Sequence, residues 1–223
     1  GQAKRTNCLF TISYLFKPTI AIETGTYYGT STYLFFGIPT IKQIISIDTN
    51  ETFLNIARER WQREIKSNKI RFIYDSSEIA MRRELLNFDN SIERIICYLD
   101  AHWDEHLPTF EEVEALCKWG GAWIAIIDDF LVPGDAGYGY DKYGETVVGE
   151  GLFPINRDFD IYVPLESSDG ETGARRGTGY LISSEAEKLI GLSIFSELKL
   201  IKLDRKSTRL NSSHVSESRM PSS

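Results

Sequence analysis

Five short apolar runs, each closing on an acid, constrain this chain more than any other feature. The runs span residues 20–23, 43–48, 70–74, 94–100 and 123–129. Glu23, Asp48, Asp75, Asp100 and Asp128 stand at or just past their carboxyl ends. Helical patterns at 31–36, 51–66, 77–88 and 110–119 separate the runs, and another at 7–16 leads in. In the second, Asn50 reads as the N-cap, with Phe53, Ile56, Ala57 and Trp61 on one face. Short buried strands alternating with helices imply a parallel sheet with right-handed crossovers. In such a sheet the carboxyl ends of the strands form one rim, where ligands bind. Any one of these acids can be read as a helix N-cap. Five on one rim point to a shared polar site.

The first strand runs into a turn that carries Gly25 and Gly29 with three residues between them. Glycine there lets a ligand approach bare backbone at the strand end. Asp48 lies about the distance downstream at which a carboxylate accepts the two hydroxyls of a ribose. NAD, FAD and S-adenosylmethionine all fit that much. Three points favour the last. The turn lacks the glycine spacing that brings backbone up to a pyrophosphate. Glu23 repels phosphate but suits a cationic amino-acid group. The turn also holds no Lys or Arg to balance phosphate charge. Asp75 and Ser76 then fall at the adenine end of such a cofactor.

Glu23, Gly25, Thr26, Tyr27, Gly29, Asp48, Asp75 and Ser76, with the ends of the fourth and fifth strands, carry a resemblance over residues 10–185. The chain resembles the class I S-adenosylmethionine-dependent methyltransferases. The resemblance implies an α/β, Rossmann-like, doubly wound and mostly parallel seven-stranded sheet, with helices on both faces. Its last strand runs antiparallel. Residues 160–163 and 179–183 read as two late strands able to supply the closing pair, followed by a short helix at 185–190. The implied cofactor-binding residues are Glu23, Gly25, Thr26, Tyr27, Gly29, Asp48, Asp75, Ser76 and Asp100.

A second constellation joins Asp100 and His102 to Asp128 and Asp129. Neighbouring strands would bring the three carboxylates together, and crowded carboxylates repel unless protonated or bound to a cation. Oxygen ligands with room for water suit Mg²⁺, which can hold a hydroxyl and lower its pKa. His102 is then placed to take the proton. This pattern is similar to the cation-dependent O-methyltransferases of the macrocin O-methyltransferase-like group, which act on sugar hydroxyls. The resemblance implies Asp100, Asp128 and Asp129 as metal ligands. In that group the base two residues past the first ligand is an acid. Here it is His102, which could serve instead as a fourth ligand. The expected partner is a small-molecule or sugar hydroxyl acceptor. The readings weighed against this are a cofactor-binding module without turnover, a nicotinamide- or flavin-dependent oxidoreductase, and a metal-dependent hydrolase or hydroxylase.

The formal charge of −7, with no block of Lys and Arg, argues against a nucleic-acid or anionic-membrane surface. No apolar run approaches the roughly 18 residues of a membrane span. Cys8, Cys97 and Cys117 read as reduced core residues of a cytoplasmic protein, which leaves room for a homo-oligomer. The single domain expected is 1–203. Residues 204–223 lack an apolar period and resemble a translated sequencing adapter, so His214 is set aside. The start at Gly1, without Met, reads as a truncated end. His106 and the Glu111, Glu112, Glu114 run are expected in solvent. The Gly- and Tyr-rich stretch 131–143 reads either as a lid over the acceptor or as a surface loop packed by its own aromatics, and Arg175 and Arg176 as a solvated pair or a clamp for an acidic acceptor.

Overall fold

The structure, a computed structural model, describes residues 3–102 and 106–204. The tail from 205 onward and Trp103, expected beside His102, lie outside the described residues. Strands β1 (Ile20–Thr24), β2 (Gln43–Asp48), β3 (Ile70–Tyr74), β4 (Arg94–Leu99) and β5 (Ala122–Asp128) are the five expected apolar runs. They are rich in Ile, whose branched side chain suits a strand covered on both faces. Helices α1 (Ala3–Phe16), α2 (Thr32–Phe36), α3 (Glu51–Arg60), α4 (Gln62–Lys66), α5 (Ser77–Leu85) and α6 (Thr109–Trp119) lie between or before them. A two-residue hairpin pair follows, β6 (Lys142–Tyr143) with β7 (Thr146–Val147). Then come β8 (Phe159–Pro164), β9 (Thr178–Ser183), α7 (Ser184–Ile190), α8 (Ser193–Glu197) and β10 (Leu200–Lys202).

Among the described residues the main sheet has eight strands in the order β10-β8-β9-β5-β4-β1-β2-β3. The first five strands pair in parallel, and β9 pairs antiparallel with both β5 and β8. The expected closing pair is therefore present. The expected count of seven is corrected by β10, an eighth strand antiparallel to β8 on the outer edge. The chain winds outward from β1 to β3, then crosses back to start β4 beside β1. That reversal opens a crevice at the carboxyl ends of β1 and β4.

Alternate residues of each strand feed two cores. Ile22, Ile45, Ile95, Cys97 and Ile127 pack on α5 and α6. Ala21, Ile44, Ile96, Ile124 and Ile126 pack with α1, α2 and α7. Cys8 and Cys97 are buried, whereas Cys117 is exposed. The single helix expected at 51–66 is interrupted at Trp61, whose backbone is not helical (φ −109°, ψ 26°). Its buried stripe is Leu54, Ala57 and Trp61, while Ile56 is exposed. Phe53, expected on that stripe, instead meets the rings of Tyr27 and Tyr28. Asn50 caps α3 as expected, accepting from the Thr52 and Phe53 amides. No helix among the described residues is long and apolar enough to cross a membrane.

The stretch 131–143 is anchored rather than open. Tyr138 is 2% exposed, and its hydroxyl donates to the Glu166 carbonyl. Asp135 accepts from the amide and hydroxyl of Ser168.

Candidate active site

β1 ends in a turn whose amides at Gly25 and Thr26 donate to the Ile47 carbonyl. The two glycines do different work. At Gly25 (φ +78°) a Cβ would stand 2.6 Å from the Asp100 carbonyl oxygen, so only glycine lets β1 and β4 close there. At Gly29 (φ +68°) a Cβ would meet the Ala57 methyl at 3.1 Å, so this glycine packs the turn on α3. Tyr27 is left-handed as well (φ +49°), and its amide donates to Asp48 Oδ2 at 2.8 Å. Arg60 donates to the Tyr28 carbonyl at 2.7 Å and the Trp61 indole to the Gly29 carbonyl at 3.2 Å. The break between α3 and α4 thus puts both side chains on the back of the turn.

Asp48 Oδ1 accepts from the Asn50 amide, so the carboxylate is held at both oxygens with lone pairs left for a ligand. Asp75 accepts from the Ser76 amide and from Arg83. Gly25, Tyr27, Asp48, Asp75, Asp100 and His102 line one cleft of about 500 Å³, with Phe53 and Ile47 as apolar wall. That size is ordinary for a small-molecule site. Ser77, not the expected Ser76, is the serine on its surface. Gly29 and Thr26 lie behind the cleft: Thr26 is buried against the Ser46 hydroxyl at 2.6 Å. Glu23 is fully buried beneath the turn. Its Oε2 accepts from Thr32 and Ser46, and its Oε1 has no hydrogen-bond partner among the described residues. Burial raises its pKa. A bare-backbone cradle, a strand-end acid with spare lone pairs and an orphaned carboxyl oxygen behind the turn fit S-adenosylmethionine.

Beyond β4 and β5 the same rim narrows to a recess of about 10 Å³ lined by Asp100, His102, Asp128, Asp129, Asp141 and Tyr143. Asp100 and His102 line both spaces. The acids in the recess already have donors. Asp128 pairs through Oδ1 with Arg5 of α1 and accepts the Tyr98 hydroxyl at Oδ2, 2.7 Å away. The Asp129 amide also donates to Asp128 Oδ1. Asp129, itself left-handed (φ +54°), pairs with Arg176. Arg176 reaches Asp141 too, and Asp141 accepts the Tyr143 hydroxyl at 2.9 Å. Burial pushes the Asp100 carboxyl up to about 8, with Asp128 and Asp129 adding to the effect and Arg5 opposing it. Burial also raises Asp129, against the Arg176 hydrogen bond.

As arranged, these residues do not fit the expected magnesium ion. Both Asp128 oxygens and Asp129 Oδ1 are engaged, and two guanidinium groups supply the opposing charge. Among the described residues, no group of three or more His, Cys, Asp or Glu side chains is disposed to hold an ion. His102 is exposed, its ring 5.2 Å from that of Tyr143. His106 is also exposed and lies 3.5 Å from Glu78.

Sequence reasoning missed Arg5 and Tyr98, and took Arg176 for a solvated or acceptor-facing residue. It also placed Glu112 in solvent. Glu112 is 0% exposed, neither of its carboxyl oxygens has a hydrogen-bond partner among the described residues, and burial raises its carboxyl to about 7. The available signal was weak: Glu112 precedes the Val113, Leu116 and Trp119 stripe by one residue.

Residues 5–161 match the model of a protein family described as O-methyltransferase. No curated protein matches the chain. Among solved structures, an O-methyltransferase from Bacillus cereus in complex with SAH has a TM-score of 0.57 at 13% identity, covering 82% of this chain and 81% of that one. The O-methyltransferase TomG from Streptomyces achromogenes, in complex with SAM, has a TM-score of 0.56 at 13% identity, covering 81% and 80%. The SAH-bound methyltransferase PaMTH1 from Podospora anserina has a TM-score of 0.52 at 13% identity, covering 81% and 78%. At such identities the likeness is one of fold.

Proposed function

The chain belongs to the O-methyltransferase family, and from that premise we propose that it methylates a hydroxyl of a small molecule or sugar with S-adenosylmethionine. The observation that carries the reading is the junction at the end of β4. Asp100 and His102 border both the large cleft and the acidic recess. A cofactor in the cleft and an acceptor at the recess would therefore meet there.

In this reading Asp48 accepts the ribose hydroxyls, and Gly25 lets the cofactor lie against backbone. Asp75 and Ser77 border the adenine end. Glu23 stays behind the turn, where its carboxyl favours the cationic amino-acid portion. S-adenosylmethionine, when bound, supplies an electrophilic methyl group on a sulfonium. The recess admits a hydroxyl but not a ring, so the bulk of the acceptor stays at the mouth beside His102 and Tyr143. His102 would take the proton released by the hydroxyl, while the bound cofactor would supply the methyl group and depart as the neutral thioether. Most of the rate gain would come from holding the oxygen in line with the methyl carbon. Magnesium, which the macrocin-like resemblance implies, would have to displace the guanidinium partners of Asp128 and Asp129, and no step is routed through it. The acidic surface supports a partner other than nucleic acid. A cytoplasmic location and self-association complete the reading.

Calorimetry with S-adenosylmethionine tests this directly. The wild-type chain should bind one equivalent. Asp48→Ala should weaken binding by about 2 kcal/mol, the worth of hydrogen bonds to a charged group, with the chain still folded by circular dichroism. An unaltered affinity would remove Asp48 from the site. A panel of hydroxylated acceptors followed by mass spectrometry should show a gain of one methyl group, sharply reduced in His102→Ala. Cofactor binding with no methylated product across the panel would instead favour a binding module.

A further inference from the structure

We infer that this site works without a divalent cation, because Arg5 and Arg176 already supply the positive charge its acids require. The inference rests on the methyl-transfer reading above, which places the reacting hydroxyl at the recess.

Three observations carry it. The first is coordination. Asp128 is used at both oxygens, by Arg5 and the Asp129 amide on one and Tyr98 on the other. Asp129 and Asp141 share Arg176, and Tyr143 takes the second oxygen of Asp141. At Asp128, at Asp141 and at Asp129 Oδ1, an incoming ion would have to compete with donors already in place.

The second is charge. A guanidinium does not lose its proton in a protein, so each arginine is a permanent unit charge. Two of them equal the charge of one divalent ion. Arg5 faces Asp128 and Asp100, Arg176 faces Asp129 and Asp141, and together they offset part of the mutual repulsion of these acids without a metal.

The third is burial. The Arg5 side chain is 19% exposed and that of Asp128 12%. Replacing the arginine with an ion would strand a desolvated guanidinium, which is more costly than leaving the pair intact. The two arginines arrive from opposite directions in the chain. Arg5 projects from α1, and Arg176 is pinned ahead of β9, where Gly139 donates to the Arg175 carbonyl and Gly177 to the Gly139 carbonyl. Both positions are set by the fold and not by a loop free to withdraw.

Manganese is the probe, since its paramagnetic signal separates free from bound ion. In a titration of the wild-type chain with S-adenosylmethionine present, the free-ion signal should rise in proportion to added Mn²⁺ up to about 1 mM. The double variant Arg5→Gln with Arg176→Gln should sequester one ion, at least about tenfold more tightly, because four acids are left without their counter-charge. Arg176→Lys, which keeps the charge, should behave as wild type. Stoichiometric capture of Mn²⁺ by the wild-type chain, abolished in Asp128→Asn, would overturn the inference. Should the double variant fail to fold, the wild-type and Asp128→Asn titrations decide alone. Calorimetry with S-adenosylmethionine in chelator separates the two levels. Cofactor binding that persists alongside ion capture overturns only this inference, whereas no cofactor binding with or without ions overturns the reading beneath it.

Discussion

The two ends of the strand rim solve the same electrostatic problem in different ways. Under the cofactor cleft, the buried acids Glu23 and Glu112 have no cation beside them: Glu23 accepts from the hydroxyls of Thr32 and Ser46, and neither Glu112 oxygen has a hydrogen-bond partner among the described residues. In the recess, Asp128 and Asp129 meet guanidinium groups. A hydroxyl solvates a carboxylate only partly, so burial wins and the pKa rises. A guanidinium opposes that rise, though Asp129 stays raised beside Arg176, and the buried acid depends on it. Both ends should therefore respond to pH, through Glu112 at one and Asp100 at the other, but only the recess should depend strongly on a cationic partner.

The sharpest way to break the contrast is to remove a cation from the recess. Arg5→Met should cost about 3 kcal/mol of stability at neutral pH, because it leaves Asp128 buried beside an apolar group. Chemical denaturation would measure it. A loss within the range of an exposed ion pair, about 0.5 kcal/mol, would show that Arg5 does not hold the recess together.

The cleft side is tested through pH. The Glu112 carboxyl is raised to about 7 in the folded chain from an ordinary value of 4.5. The folded state therefore holds this proton more tightly than the unfolded state. The proton's contribution to stability is complete below pH 4.5 and is lost as pH rises through about 7. Glu112→Gln should abolish that loss and make the chain more stable than wild type at pH 8, by about 2 kcal/mol. Parallel melts of the two proteins at pH 5 and pH 8 would show whether the difference grows with pH. A constant difference would mean that Glu112 ionises as an exposed acid does.

The smallest effect belongs to the back of the glycine turn. Trp61→Phe keeps the ring packing against Tyr33 and Phe36 but removes the bond to the Gly29 carbonyl. It should cost about 1 kcal/mol and weaken cofactor binding modestly. An effect on Mn²⁺ capture rather than on cofactor affinity would mean that the two ends of the rim are not independent.

The strands, their order of use and the acids at their ends were legible in the sequence because each is local. A run of Ile closing on Asp, or two glycines with three residues between them, needs only neighbours along the chain to take its form. Asn50 could be read as a cap for the same reason. The break at Trp61 was not legible, since the helical pattern continues through it and only the Gly29 carbonyl, 32 positions earlier, draws its indole away. Ser76 and Ser77 could not be told apart, because a single residue at a helix start changes which side chain faces the cleft.

The sequence by itself determined an α/β sheet whose acids share one rim. Tertiary structure decided what those acids meet. Arg5 and Asp128 lie 123 positions apart, and Arg176 and Asp129 47 apart. Nothing local marks either arginine as a partner, because charge acts through space at distances that only folding sets. The identity of the counter-ion in the recess, guanidinium or metal, is therefore a property of the packed chain and not of the acids that read so plainly along it.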